Sequence, residues 1–212
     1  MTKNELEKDL VSGGYLKSPL LIEAFKKIDR KDFVPKDLGD LAYINEPLHI
    51  GFSQTISQPL TVAFMLELLD PRPGEKILDV GAGSGWQTAL LAYLVSSGGG
   101  KGKVVAIERV KELKEMAEIN VSKYNFIEKK IVEIFEGDGS KGYKADAPFD
   151  KIIAAAAATE IPSAWKEQLK IGGRIVSPVF QSIWVLDKIS EKEFKKQEYF
   201  GFSFVPLISD KN

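Results

Sequence analysis

The chain has 212 residues, of which 44% are hydrophobic and 28% charged, a composition typical of a globular protein with a full core. Its 29 basic and 30 acidic residues leave a net charge of −1, so no strong field attracts nucleic acid or an anionic membrane. The absence of cysteine excludes disulfides, thiolate nucleophiles and Cys-based zinc sites, and a single histidine, His49, argues against a Ser-His-Asp triad. The N-terminus is too charged for a signal peptide, and no apolar run approaches the roughly 20 residues of a membrane span. We therefore expect a cytoplasmic protein without a metal site that binds neither nucleic acid nor membranes.

The N-terminal quarter of the chain is expected to be helical and irregular, without a strand. Residues 4–11 have the pattern of a short helix, and a second helix is predicted to begin at Pro19 with Ser18 as its side-chain cap. The polar stretch 47–59 is expected to be irregular and to lead into a helix at 60–69.

From Lys76 onward, short β-branched segments alternate with helical ones. Beyond the first strand, further strands are predicted at 104–108, 131–135, 151–156 and 174–179, helices at 110–124 and 161–169, an end to the last helix at Gly172-Gly173, and a closing antiparallel strand pair at 183–189 and 199–206. Such alternation predicts an α/β fold with a doubly wound, mostly parallel sheet and helices on both faces. We expect one domain over residues 1–212, with 1–58 as a helical and irregular lead-in and 59–212 as the core.

Three glycines at alternate positions, Gly81, Gly83 and Gly85, separate the first predicted strand from the helix that follows it. Glycine allows a sharp turn and a close approach of a ligand to the main chain, and a helix start presents free N–H groups. The spacing differs from the dinucleotide fingerprint G-x-G-x-x-G, because Trp86 stands where the third glycine is required. It resembles instead the first motif of class I S-adenosylmethionine-dependent methyltransferases.

Acidic residues end or follow three predicted strands, at Asp79, Glu108 and Asp138. In a doubly wound sheet, ligands bind beyond the carboxyl ends of the strands. Glu108 lies roughly 20 residues past the glycine loop, where an acidic side chain accepts hydrogen bonds from ribose hydroxyls. Asp138 could accept a hydrogen bond from an adenine amino group. Asp79 is expected near the amino-acid end of the ligand. A ligand with ribose and adenine but no pyrophosphate, such as S-adenosyl-L-methionine, fits this set. The alternative is that Glu108 and Asp138 only cap neighbouring elements.

The chain offers no evident histidine or cysteine base, which favours one class of methyl acceptor. A sulfonium methyl group is already electrophilic, and a carboxylate is ionised at neutral pH, so carboxyl methylation needs no base. Ser57, just before a predicted helix, is open to two interpretations, a helix cap or a ligand-binding hydroxyl.

A series of further motifs extends the similarity over nearly the whole chain. They are Asp32-Phe33-Val34-Pro35, residues 51–59 (Gly-Phe-Ser-Gln-Thr-Ile-Ser-Gln-Pro), residues 79–89, Ile107-Glu108-Arg109, Gly137-Asp138-Gly139, Ala147-Pro148-Phe149-Asp150, residues 168–174, Pro178-Val179 and Phe204-Val205-Pro206-Leu207. With these motifs the chain resembles the protein-L-isoaspartate O-methyltransferase family. The resemblance implies methyl transfer to the free α-carboxylate of L-isoaspartyl residues in damaged proteins and peptides, whose esters then collapse to succinimides.

The resemblance also implies the residues of the site. Ser57 is expected to be the catalytic residue, orienting the acceptor carboxylate rather than attacking it, because no base activates its hydroxyl. The expected cofactor-binding residues are Thr55, Ile56, Ser57, Asp79, Gly81, Gly83, Gly85, Glu108, Arg109, Gly137 and Asp138. The expected partners are isoaspartyl-containing proteins and peptides, and the protein is expected to be a monomer.

Four positions depart from the family pattern and bear on the acceptor more than on the reaction: Asn45, Ser53, Leu60 and Phe180. Three alternative functions remain open at this stage. The first is a class I methyltransferase that acts on another carboxylate, a small molecule or a nucleic-acid base. The second is a nicotinamide-dependent oxidoreductase. The third is a non-catalytic sensor of an adenosyl ligand.

Overall fold

The structure, a computed structural model, describes residues 1–209 of the chain. The α-helices in this part are Lys3–Ser12 (α1), Pro19–Lys27 (α2), Pro59–Leu69 (α3), Trp86–Ser96 (α4), Lys111–Ser122 (α5) and Ser163–Gln168 (α6). The strands are Leu48–Gly51 (β1), Gln54–Ile56 (β2), Lys76–Val80 (β3), Lys103–Glu108 (β4), Val132–Glu136 (β5), Phe149–Ala154 (β6), Leu169–Val179 (β7), Ser182–Lys188 (β8) and Phe194–Phe200 (β9).

Seven strands form the central sheet in the order β5-β4-β3-β6-β7-β8-β9. Strands β3 to β7 are parallel, whereas β8 and β9 join as an antiparallel pair. The chain returns from β3 to β4 on one side and reaches β6 on the other, which creates a switch point beyond the carboxyl ends of β3 and β6. The predicted α/β class, the mostly parallel sheet and the antiparallel closing pair are confirmed.

Apolar packing on the two faces of the sheet holds these strands in place. One cluster of buried side chains packs the sheet against α1 to α5, and a second packs it against α6 around the fully buried Trp165. Strand β3 contributes to both clusters, since Ile77 lies in the first and Leu78 in the second. This alternation follows from the opposite directions of successive side chains in a strand, and it leaves β3 buried on both faces of the sheet.

The first 58 residues contain a β-hairpin where the sequence predicted irregular chain. Strands β1 and β2 pair antiparallel, and the two turn residues between them, Phe52 and Ser53, have left-handed φ angles of 53° and 57°. Two positive φ angles define the turn type that matches the twist of a hairpin, but glycine or asparagine usually supplies them. Since neither residue occurs in the turn, no hairpin signal is present in the local sequence.

Two expectations about where helices begin and end are wrong. Ser18 makes no side-chain cap to α2; its hydroxyl donates instead to Glu67 Oε2 on α3 at 2.6 Å. Gly172 and Gly173 lie within β7 rather than at the end of α6, next to an irregularity in its pairing with β6. A side chain at Gly173 would meet the carbonyl oxygen of Asp150 at 2.7 Å, so this glycine is required by strand packing.

The last strand also begins earlier than predicted. It covers Phe194–Phe200, and the chain after it continues as an extended segment that forms an isolated parallel bridge from Pro206 to Ala157. In the described part of the chain, no helix has the length and apolar character needed to cross a bilayer.

Candidate active site

Three adjoining cavities lie at the carboxyl edge of the sheet. The first is a cleft of about 660 Å³, partly open to solvent, that runs across the ends of β3, β4, β5 and β6. A side pocket of about 730 Å³, also open to solvent, and a smaller floor pocket of about 310 Å³ under the glycine loop adjoin it. Thr55 and Ala155 line all three cavities, so the cavities meet at these two residues.

The glycine loop forms the floor of the cleft through Gly81 and Gly83. Both have positive φ angles, 85° and 55°, and a Cβ built at either would meet no other atom closer than 3.5 Å, so the space above both is open to a ligand. Gly85 serves another purpose, because its Cβ would lie 2.9 Å from Val121 of α5. This glycine lets α5 pack against the loop, and it lines none of the three cavities. The loop therefore combines a ligand surface with a tight helix contact.

Three amide groups of this loop, those nearest the cleft, are already used within the protein. Gly81 and Ala82 donate to the carbonyl oxygen of Ile107 at 2.8 and 3.2 Å, and Gly83 donates to Glu108 Oε2 at 2.8 Å. A pyrophosphate bound over the loop would need such amides as donors. The loop consequently suits a ligand without phosphate groups, which disfavours the nicotinamide-dependent oxidoreductase.

Glu108 lies in the wall of the cleft at the end of β4 and is largely buried. Its Oε2 accepts from Gly83, and its Oε1 accepts from the amide of Val110 at 3.0 Å, at the start of α5. The interpretations of Glu108 as a cap and as a ligand acceptor are therefore compatible, because each carboxylate oxygen keeps a second lone pair for a hydroxyl donor.

Asp79 lies behind the loop rather than in the cleft. Its side chain is fully buried, with Oδ1 accepting from Gln87 Nε2 at 2.8 Å and Oδ2 from the Thr88 hydroxyl at 2.6 Å. Burial raises the pKa of Asp79 to about 6, although the hydrogen bonds from Thr88 and Gln87 oppose the rise; the nearby Glu108 adds to it. Asp79 lines none of the three cavities, so its geometry supports a role in fixing α4 to β3.

At the end of β5, the backbone rather than the acidic side chain borders the cleft. Gly137 and Gly139 line it, whereas Asp138 Oδ1 accepts from the amide and hydroxyl of Ser140 at 2.9 and 2.6 Å and so caps a short 3₁₀ turn. Arg109 lines the cleft beside Glu108 and donates to the carbonyl oxygen of Ile208 at 3.4 Å. This donation connects β4 to the C-terminal segment, which forms the opposite wall.

The side pocket is lined by side chains that carry no charge. The polar side chains that line it are all neutral: Thr55, Ser57, Gln58, Thr61 and Ser203. Its remaining lining residues are apolar, so within residues 1–209 no titratable side chain faces it. Hydroxyl and amide groups donate hydrogen bonds to an anion without protonating it or removing its proton.

Ser57 lies between the side pocket and the floor pocket, which it also lines. It does not cap α3: the helix begins after Gln58, and the first-turn amide of Leu60 donates instead to Asn45 Oδ1 at 3.0 Å. Among the described residues none forms a hydrogen bond with the Ser57 hydroxyl. The interpretation of this serine as a helix cap is therefore wrong, and its hydroxyl is available to a ligand.

A buried cation holds the main chain of Ser57 in place. Arg30 is only 2% exposed, and its Nη2 donates to the carbonyl oxygens of Ser57 at 3.1 Å and Glu46 at 3.0 Å. Its Nη1 donates to the carbonyl oxygens of Ala42 and Ile44, and the guanidinium lies 5.4 Å from the ring centroid of Trp86. One side chain thus connects the 42–46 segment and Ser57 to the helix that follows the glycine loop.

Comparison with known proteins agrees with this arrangement. The family model described as protein-L-isoaspartate(D-aspartate) O-methyltransferase matches residues 1–212. The chain belongs to the protein-L-isoaspartate O-methyltransferase family. A protein-L-isoaspartate O-methyltransferase of Methanopyrus kandleri is 43% identical over 212 residues, which cover 98% of this chain and 92% of that protein. A second one, of Aeropyrum pernix, is 43% identical over 207 residues, which cover 96% of this chain and 78% of that protein.

The fold is also that of a solved family structure. A Plasmodium falciparum protein assigned as a protein-L-isoaspartate O-methyltransferase, crystallised with S-adenosyl-L-homocysteine, superposes with a TM-score of 0.88 over 99% of this chain and 100% of that one, at 23% identity. The cofactor of this family is S-adenosyl-L-methionine, and the cleft fits it. Glu108 provides a hydrogen-bond acceptor, the space over the glycines is open, and the amides that a phosphate group would need are bonded within the protein.

Several residues that line the cavities could not be predicted as site residues from their own residue type. Ala155 and Ala156 line the cleft at the end of β6, but an alanine run indicates only a buried strand or helix. Val205 and Pro206 were part of a family motif, yet nothing in their chemistry marked them as a cavity wall. Gln58 and Thr61 reach the side pocket only once α3 is in place.

Proposed function

We propose that this protein transfers the methyl group of S-adenosyl-L-methionine to the free α-carboxylate of L-isoaspartyl residues in damaged proteins and peptides. The cofactor would occupy the cleft and the floor pocket, and the isoaspartyl group would enter the side pocket. One observation carries the proposal: a pocket lined by neutral hydrogen-bond donors and free of titratable side chains, among residues 1–209, meets the cleft at Thr55 and Ala155.

The neutral lining suits a carboxylate acceptor on physical grounds. A carboxylate is already ionised at neutral pH, so no general base has to remove a proton. A lysine or arginine in contact with the carboxylate would hold its electrons in a charge-assisted hydrogen bond and weaken it as a nucleophile. A neutral amine or hydroxyl acceptor would lack the base that it needs in this pocket.

S-adenosyl-L-methionine would supply its methyl group to a carboxylate oxygen and would keep the electron pair of the S–CH₃ bond on sulfur, so no residue of the site would have to take up a proton. We assign to Ser57 the orientation of the acceptor through a donated hydrogen bond, with Thr55 beside it at the junction of the cavities. Glu108 would hold the ribose hydroxyls, and Gly81 and Gly83 would allow close approach of the cofactor. Proximity and desolvation, rather than covalent catalysis, would then supply most of the rate.

Methylation makes the carboxyl group reactive, because methoxide leaves an ester far more readily than an oxide ion leaves a carboxylate. Attack by the next backbone nitrogen then releases methanol and closes a succinimide, which hydrolyses in part to normal aspartate. Repair would thus follow from one methyl transfer, without a second active site.

A paired-peptide assay tests the proposed function. The protein would be given labelled S-adenosyl-L-methionine and either an isoaspartyl hexapeptide or its twin with normal aspartate. We expect labelled methanol after base treatment from the isoaspartyl peptide alone. Equal labelling of both peptides would indicate another carboxylate substrate, and labelling of neither, with the cofactor bound in calorimetry, would favour the non-catalytic sensor.

A further inference from the structure

Phe180 has a backbone conformation that its side chain disfavours. It is the first residue of the two-residue turn between β7 and β8, where Val179 pairs with Ser182, and its φ angle is 51°. A positive φ at this turn position is normally supplied by glycine, because a Cβ crowds the neighbouring carbonyl group.

Packing does not compensate for this strain. Phe180 is 66% exposed, and in the described part of the chain its ring stacks on no other aromatic ring. Phe200, whose Cα pairs with Ser182 across the hairpin, is 78% exposed as well. A strained backbone and a bare apolar surface at the same place indicate a functional rather than a structural reason for the residue.

The turn is attached to the wall of the side pocket. Strand β7 runs parallel to β6, so its carboxyl end lies at the same edge of the sheet as the cavities. The Phe180 amide donates to the carbonyl oxygen of Ala158 at 3.1 Å, and the neighbouring Ala157 amide donates to that of Val205, a lining residue of the cleft and the side pocket.

A second set of contacts reaches the same wall from the other side. The carbonyl oxygen of Gln181 accepts from the amides of Gly201 and Phe202, each at 3.2 Å. The next two residues, Ser203 and Phe204, line the side pocket. The turn that carries the exposed Phe180 is therefore held next to the segments that line the pocket by contacts on both of its sides.

We propose that Phe180 is a specificity-determining residue that contacts an apolar side chain next to the isoaspartyl residue of the substrate. This inference rests on the proposed function and names the substrate class of the same site. Successive residues of an extended peptide lie about 3.3 Å apart along the chain, so the neighbours of an isoaspartyl group in the side pocket extend over its rim. An aromatic ring on that rim prefers an apolar neighbour, since their contact removes apolar surface from water.

The test compares Phe180→Gly with the unaltered protein on two isoaspartyl hexapeptides, one with leucine on both sides of the isoaspartyl residue and one with serine. We expect the variant to raise KM for the leucine peptide roughly three- to tenfold and that for the serine peptide by less than about twofold. KM for S-adenosyl-L-methionine should stay unchanged. Because glycine relieves the turn, the thermal midpoint should rise by about 1–3 °C rather than fall.

Lys130→Gly is the matched control. Lys130 also has a positive φ angle, 56°, but it precedes β5 at the opposite edge of the sheet, so its replacement should change neither KM. Phe180→Leu, which keeps an apolar side chain, should restore part of the preference. Equal changes for both peptides, or no change in either, would overturn the inference. Failure of the unaltered protein to methylate either peptide would overturn the proposed function instead.

Discussion

Ser57 lines the side pocket and Glu108 lines the cleft, so their replacement should affect different kinetic and binding constants. We expect Ser57→Ala to lower kcat for an isoaspartyl peptide roughly tenfold or more while the cofactor Kd changes less than about twofold, because the hydrogen bond that is lost is the one assigned to the acceptor. Steady-state kinetics and calorimetry on the same preparation measure both quantities.

Glu108→Ala provides the contrast to Ser57→Ala. Removing the carboxylate should weaken cofactor binding by about 1–3 kcal/mol, since the ribose hydroxyls lose a buried acceptor. A larger loss of cofactor affinity in Ser57→Ala than in Glu108→Ala would contradict the assignment of both residues.

Asp79 should give the stability of the protein a recognisable pH dependence. Its pKa rises from the ordinary value of 3.8 to about 6 on folding, chiefly through burial, so the folded state binds the proton more tightly than the unfolded state. The stability that this proton provides is present below about pH 4 and is lost as the pH rises through 6. Relative to Asp79→Asn, the unfolding free energy of the unaltered protein should fall by about 2 kcal/mol between pH 4.5 and 7.5.

Urea denaturation of both proteins across this pH range measures the difference. The asparagine variant keeps the shape of the side chain but does not titrate, so other carboxylates cancel in the comparison. Parallel stability curves would show that Asp79 keeps an ordinary pKa in the fold.

At the scale of elements, the 42–46 segment and the start of α3 depend on one arginine. Burial lowers the pKa of Arg30 to about 10, which still leaves the guanidinium charged at neutral pH, and its Nη1 and Nη2 atoms donate to backbone carbonyl oxygens. We expect Arg30→Lys to raise KM for an isoaspartyl peptide roughly tenfold and to change the cofactor Kd less, because a single ammonium cannot reach all these carbonyl groups in the same geometry.

Arg174→Lys is the control for this arginine. Arg174 also bridges two elements, donating to Leu68 of α3 at 2.7 Å and to Asp187 of β8 at 2.6 Å, but it lines none of the three cavities. Its replacement should lower the unfolding free energy without changing KM. Identical kinetic effects of both variants would show that Arg30 contributes only to the stability of the fold.

The elements differ in how much their own sequence reveals. The parallel strands and the helices between them were predicted because each carries its own apolar period, visible within about ten residues. The β1–β2 hairpin was missed, since Phe52 and Ser53 occupy left-handed positions for which they have no local preference. The glycines of β7 were misinterpreted as a helix end because glycine permits a turn and a close strand contact equally well.

At the scale of the whole molecule, the cavities are assembled from segments that lie far apart in the chain. The side pocket alone combines residues near position 55, Ala155 and the segment at 203–205. The contacts that close it include the hydrogen bond from the Ala157 amide to the carbonyl oxygen of Val205. Such contacts join backbone groups, so the identities of the side chains do not predict them. Only the order of the strands decides which of these segments become neighbours.

The sequence by itself determined the α/β class, the glycine loop, the acidic strand ends and, through its motifs, the family. These features are local, because they depend on apolar periodicity, on the freedom of glycine and on charged groups at fixed spacing. The tertiary structure alone decided which acids face the cleft: Glu108 lies in its wall, whereas Asp79 and Asp138 line none of the three cavities. It did so because the direction of a side chain depends on packing against elements distant in sequence, which no short stretch of the chain encodes.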